Sequence, residues 1–256
     1  MKVALYQSLP TDGDIEKAFV TIESCLQASA HAGASMVVFP ELYFPGYQQP
    51  ESHRQLAQAI DGDWMSRIAK LTKRHHCGLT VGWAERCDGK VYNSASCFDN
   101  NGALLSHYRK IQLFNDMEKR NFTAGSAYQI FDLNGYKTAM LICYDIEFPE
   151  HCRALAQQGV KLILVPTANP KGYEHVSRVL VPARAYEMSL TIVYANYCGT
   201  EQGLVYAGLS LVAGPDSKPI AMAGNSAMLL IADLSEERNS SLNFQSTQLT
   251  DYIEVK

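Results

Sequence analysis

The sequence predicts an α/β protein. Short apolar runs without polar breaks, Ser35-Met-Val-Val-Phe39, Ala139-Met-Leu-Ile142 and Lys161-Leu-Ile-Leu-Val165, read as strands covered on both faces. Helical periods lie between such runs: Ile15, Phe19, Ile22, Leu26 and Ala30 recur at spacings of three and four. Strand, helix and strand in that order and size imply a right-handed parallel crossover.

In chain order, residues 2–7 are a strand, and Asp14 caps the helix that Gly33 ends. The strand at 35–39 runs into Pro40-Glu41-Leu-Tyr-Phe-Pro-Gly46. Segment 47–60 is polar and reads as loop and short helix. Asp61 to His76 is a helix with Met65, Ile68 and Leu71 inward, and Gly78 to Trp83 a strand. Val91–Phe98 and Ala103–Tyr108 flank Asp99-Asn-Asn-Gly102, a hairpin signal because Asn-Gly accepts positive φ. A polar loop holding Glu118 follows, up to Gly125. Strand 139–142 stops at Cys143, and Pro149 can open a helix that Gly159 ends. Residues 176–189 read as helical. Strands are expected at 191–195 and 227–232, and a second hairpin joins 209–213 to 219–222. From about residue 235 the chain becomes a polar tail. Ala32-Gly-Ala-Ser-Met-Val-Val-Phe-Pro40 is echoed in Gln158-Gly-Val-Lys-Leu-Ile-Leu-Val-Pro166, so two similar halves are expected within one domain spanning 1–256.

Composition narrows the function classes. The 256 residues carry a formal charge of −4, which gives no reason to expect nucleic acid or an acidic membrane as partner. The first residues already read as strand, with no apolar leader and no run of membrane-spanning length. Seven cysteines in no framework spacing suit reduced thiols in a cytoplasm. Cys77, Cys87 and Cys97 recur every ten residues, a spacing more typical of chance on strands than of zinc ligands, so no metal is expected.

Three strand ends carry chemically capable groups, as expected where α/β proteins build sites. Glu41 lies directly beyond a buried strand. Lys110 precedes the apolar run Ile-Gln-Leu-Phe114. Cys143 sits on a strand-to-helix turn, near the positive end of a helix, which favours thiolate. A thiolate attacks a carbonyl carbon, a carboxylate shuttles the proton, and an ammonium stabilises the oxyanion. No histidine sits at a strand end as a rival base. Read one at a time, Cys143 is equally a buried structural thiol, Glu41 a surface carboxylate and Lys110 a solvated lysine. Spacing alone does not join residues so far apart.

A resemblance joins them. Phe39-Pro40-Glu41, Tyr108-Arg-Lys110 with Leu113-Phe114, Cys143-Tyr-Asp-Ile-Glu-Phe-Pro-Glu150, Ile163-Leu-Val-Pro-Thr-Ala-Asn169 and the Asn93-Ser94 pair resemble the motifs of the nitrilase superfamily, in its order. The resemblance implies a four-layer α-β-β-α sandwich that forms a homodimer or higher homo-oligomer. It implies Glu41 as general base, Lys110 as oxyanion stabiliser and Cys143 as nucleophile. Glu118 matches a further family glutamate that orients the lysine, and the Tyr144 amide completes the oxyanion hole. No metal or organic cofactor is implied.

Within the superfamily, Leu141–Glu150, Ile163–Asn169 and Val193–Gly199 resemble members that hydrolyse linear ω-amino amides such as 5-aminopentanamide in lysine degradation. Glu147, four residues past Cys143, suits an ammonium-bearing substrate and repels a carboxylate; pairing with Arg153 or Arg184 is its structural alternative. Asp145 either adds to that field or caps the turn. Tyr43, Tyr173 and Tyr197, with Asn169, are expected to line the substrate pocket, the tyrosines offering cation–π contact. An N-carbamoyl-amine hydrolase acting on a compound such as N-carbamoylputrescine is the alternative enzyme, and a non-catalytic binding protein of the same fold the alternative class.

Overall fold

The computed structural model describes residues 1–234 and 246–253. The strands and helices in order are β1 (Lys2–Gln7), α1 (Ile15–His31), β2 (Met36–Val38), α2 (Pro50–Leu56), α3 (Asp63–His75), β3 (Gly78–Cys87), β4 (Lys90–Phe98), β5 (Leu104–Arg109) and α4 (Asp116–Asn121). They continue as β6 (Ile130–Leu133), β7 (Tyr136–Met140), α5 (Pro149–Gln157), β8 (Leu162–Pro166), α6 (Val181–Glu187) and β9 (Thr191–Ala195). The last are β10 (Thr200–Glu201), β11 (Leu204–Val205), β12 (Leu211–Ala213), β13 (Pro219–Met222), β14 (Met228–Asp233) and α7 (Gln248–Asp251).

Two six-stranded sheets form, in the orders β14-β1-β2-β3-β4-β5 and β13-β12-β9-β8-β7-β6. In the first, β1, β2 and β3 are parallel neighbours, flanked by antiparallel β14, β4 and β5. In the second, β7, β8 and β9 are parallel, flanked by antiparallel β6, β12 and β13. The two pairing sequences are the same. The echo between 32–40 and 158–166 is therefore a repeat of architecture, with β2 and β8 in equivalent central places.

Alternation along β1 and β2 sorts the core. Val3, Leu5, Met36 and Val38 join a cluster with β7, β8, β9 and β12, between the sheets and under α5 and α6. Ala4, Val37 and Phe39 join Phe19, Ile22, Leu26, Met65 and Ile68 of α1 and α3 on the other side. The result is the α-β-β-α sandwich, with helices on both outer faces. Asp14 accepts from the Lys17 N–H and starts α1 as expected, and Gly33 leaves it at φ +77°.

Several details depart from the sequence reading. Glu118 lies in a short helix, α4, because Asn115 accepts from the Glu118 N–H and caps it. The hairpin β6–β7, absent from the sequence expectations, turns at Asn134-Gly135, a pair that accepts positive φ. Between β7 and α5, a 3-10 turn over Cys143–Glu147 replaces a direct strand-to-helix step. The helical stretch at 176 opens as one π turn, Val176–Leu180, before α6. Residues 235–245 of the polar tail lie outside the described residues, and 248–251 form α7. Among the described residues, no helix is long and apolar enough to cross a membrane.

Candidate active site

The site forms where strands of both sheets end. Glu41 follows β2, Lys110 follows β5, and Cys143 follows β7. Backbone bonds fix each approach. The Glu41 N–H donates to Thr167 O of the other sheet, 3.3 Å away, so the two proline turns of the repeat face each other. The Lys110 N–H donates to Asn93 O at 2.8 Å, and the Gly125 N–H to Lys110 O at 2.7 Å. Cys143 has φ +47°, a left-handed conformation that a β-carbon disfavours and that only a well-packed turn maintains.

The charged side chains meet in the interior. Lys110 Nζ donates to Glu41 Oε1 at 2.7 Å and to Glu118 Oε1 at 2.8 Å, and none of the three is solvent-exposed. Asn93 Nδ2 donates to the same Glu41 oxygen at 2.7 Å. Glu41 Oε2 is buried without a partner. Tyr47 OH donates to Glu118 Oε1 at 2.8 Å, and the Phe114 N–H to Glu118 Oε2 at 3.1 Å.

Electrostatics follow from that burial. Desolvation pushes the Glu41 carboxyl up to about 7, with Lys110 opposing and Glu118 adding. For Lys110, burial acts to lower the value, but Glu118 and Glu41 outweigh it and hold the ammonium well above the ordinary lysine range. The Cys143 thiol is raised, first by desolvation and then by the Glu41 charge, against Lys110, Thr167 and the Ala168 backbone. That direction runs against the helix-stabilised thiolate expected from the turn and favours a thiol whose proton a neighbouring base takes. Tyr144 follows in the first turn of the 3-10 segment, where N–H groups lack intrahelical partners.

A family model described as carbon-nitrogen hydrolase matches residues 2–243. The chain belongs to the carbon-nitrogen hydrolase family. A hydrolase of Pseudomonas protegens, named for its place in the pqqF 5′ region, is 40% identical over 241 residues, covering 93% of this chain and 84% of that one. An (R)-stereoselective amidase of a Pseudomonas species is 30% identical over 239 residues, covering 91% and 85%. The amidase of Nesterenkonia sp. AN1, solved in complex with butyramide, superposes with a TM-score of 0.89 at 31% identity, covering 98% of this chain and 94% of that one. In another structure of that amidase, acrylamide has undergone Michael addition at the active-site cysteine.

The remaining expected residues of this carbon-nitrogen hydrolase divide into rim and core. Tyr173 is 39% exposed and meets Phe114 edge-on, and Phe114 in turn meets Tyr144. Glu147 is half-buried and its carboxylate has no ion pair among the described residues. Arg184 pairs with Glu187 and meets Glu147 through the Glu147 backbone carbonyl, to which it donates, while Arg153 lies over the Tyr252 ring. Tyr43 and Tyr197 are instead core residues. Phe39, Phe44 and Tyr197 pack around Tyr43, and Tyr43 and Tyr206 around Tyr197, so neither offers a ring face to an ammonium. Asn169 spends its groups on structure: its N–H donates to Asn196 Oδ1 and its Nδ2 to Tyr173 O. Asp145 is fully buried, with its carboxylate taken up by Tyr108, Gln112 and Ile142. Tyr47 is not among the residues that the sequence points to, and Asn93 is marked there only as part of a motif. Asn93 lies in a buried strand beside Ser94 and Ser96, and a buried amide there needs a partner.

Proposed function

We propose that this chain is a cysteine-dependent amidase that hydrolyses short linear aliphatic amides, with preference for an amide bearing an ammonium at its far end. The observation that carries the reading is Lys110 bridging Glu41 and Glu118 within 2.8 Å, beside the Cys143 turn.

Cys143 Sγ bonds to the amide carbon while its proton passes to Glu41, whose unpartnered Oε2 is free to receive it. Lys110 and the Tyr144 N–H hold the oxyanion. The C–N bond breaks, Glu41 returns the proton to nitrogen, and ammonia leaves a thioester. Water then adds to the acyl carbon and gives a proton to Glu41. The C–S bond breaks, the thiol is reprotonated and the acid departs. Glu118 orients Lys110. The unpaired Glu147, with Tyr173 on the rim, supports an ammonium at the distal end of the substrate.

Ammonia release tests this on 5-aminopentanamide, a shorter ω-amino amide, glutaramate, butyramide, N-carbamoylputrescine and butyronitrile, with wild type and Cys143→Ala. Fastest turnover of an ω-amino amide, abolished in the variant, is expected. Preference for glutaramate removes the ammonium assignment. Preference for N-carbamoylputrescine moves the reaction to carbamoyl hydrolysis, and silence on every amide overturns the amidase reading.

A further inference from the structure

Asp145 makes three hydrogen bonds that join the two catalytic strand ends. Its Oδ2 accepts from Tyr108 OH at 2.8 Å and from the Ile142 N–H at 3.0 Å. Its Oδ1 accepts from the Gln112 N–H at 2.7 Å. Tyr108 and Gln112 stand two residues before and two residues after Lys110, and Ile142 immediately precedes Cys143. Lys110 comes from the end of one sheet and Cys143 from the end of the other.

We infer that Asp145 is a positioning residue that sets Lys110 against Cys143, by clamping the chain on both sides of the lysine to the turn that carries the nucleophile. This rests on the roles assigned to Cys143 and Lys110 above. Capping the 3-10 turn uses only the bond from Ile142; the other two reach across to the first sheet and add nothing to a cap. Packed apolar faces hold two sheets together but are non-directional and leave their lateral offset soft. Charge-assisted hydrogen bonds are short and directional, and three on one buried carboxylate fix that offset. The other backbone bonds of Lys110, to Asn93 and Gly125, do not reach the Cys143 turn.

Two variants separate this from a plain structural role. Asp145→Asn keeps the shape but turns one acceptor oxygen into a donor, so at least one of the three bonds is lost. Tyr108→Phe removes one arm on the lysine side and leaves the cap of the cysteine turn intact. In both, kcat on butyramide is expected to fall about 10- to 100-fold, the range for residues that orient a reactive group. KM should move less than about threefold, since substrate contacts remain. The pH profile of Cys143 alkylation by iodoacetamide should move to higher pH, because a loosened Lys110 supports the thiolate less. A purely structural residue moves the thermal midpoint and leaves that profile in place. Folded Tyr108→Phe with wild-type kcat and alkylation profile overturns the clamp, and it decides alone where Asp145→Asn does not fold. Cys143→Ala is run beside them: activity surviving there overturns the parent reading, whereas its loss with wild-type rates in both clamp variants overturns the clamp only.

Discussion

Lys110 Nζ donates to Glu41 Oε1 across 2.7 Å between two side chains that are both fully buried. The ammonium faces a second carboxylate, Glu118, at 2.8 Å, so the trio is negative overall when both acids are ionised. Burial resists that charge, which is why Glu41 rises to about 7 while Lys110 stays protonated.

Glu41 therefore acts as a base only where it has lost its proton. As pH rises through about 7 the carboxylate forms, so kcat/KM on a neutral amide should climb with pH below that value and level off above it. Glu41→Gln should lose about 10²- to 10⁴-fold in kcat, the usual worth of a positioned base, and lose that limb of the profile. A pH–rate series with butyramide checks both; a profile flat from pH 5 to 8 in wild type speaks against Glu41 as the base.

Lys110 also has a structural role. Lys110→Met leaves Glu41 and Glu118 buried without their cation, a change that costs about 3–5 kcal/mol when one partner of a buried pair is removed. Denaturant titration should show that loss together with the loss of turnover. The penalty should shrink as pH falls through about 7, because protonating Glu41 removes part of the uncompensated charge. Equal penalties at pH 5 and pH 8 would contradict the coupling.

Much of this fold is written locally. Apolar runs marked the central strands, helical spacing marked α1 and α3, and the repeated Val-Val-Phe-Pro and Leu-Val-Pro ends exposed the two-sheet repeat. Glu41 and Cys143 were visible because each ends such a run. The sequence did not show that Lys110 is fully buried: a lysine beside polar residues reads as solvated, and only the carboxylates at 41 and 118, one of them 69 residues away, make its burial tolerable. Tyr43 and Tyr197 misled for a related reason. A tyrosine near a motif reads as a pocket wall, but Tyr43 and Tyr197 stack on each other at 6.1 Å from segments far apart in the chain, a contact with no local signature.

Glu147 should govern substrate choice without governing the chemistry. Its carboxylate is half-buried and makes no ion pair with Arg153 or Arg184, although the charges of His175, Lys110 and Arg184 act on it, so an ammonium would be a direct ionic partner for it. Glu147→Gln should raise KM for 5-aminopentanamide about tenfold, worth about 1.4 kcal/mol. Butyramide, with nothing to offer that carboxylate, should be almost unchanged. A like loss on both amides would assign Glu147 to structure.

Gly82 gives the most local test of how the general base is held. It sits mid-strand in β3 opposite Ala95, and the turn after β2 lies directly on it: the Gly82 N–H donates to Pro40 O at 3.2 Å, and the Phe44 N–H to Gly82 O at 3.3 Å. A β-carbon there would fall 2.5 Å from Leu42 N, 2.7 Å from the Glu41 Cα and 2.8 Å from Pro40 O. All three are backbone atoms, so no side chain can swing aside, and the turn itself must retreat. The φ of Gly82 is not in the left-handed region, so space rather than conformation excludes alanine. Gly82→Ala should cost about 1–3 kcal/mol, as overpacking does, which thermal or denaturant unfolding measures. It should also lower kcat by about 10²-fold, because a shift of roughly 1 Å in a reacting group costs that much. Asn93 and Lys110 hold the far end of Glu41, so if the side chain alone set its position the variant would be destabilised yet retain wild-type kcat. Loss of rate in a protein still folded at the assay temperature would place the control of Glu41 in the backbone contact with β3.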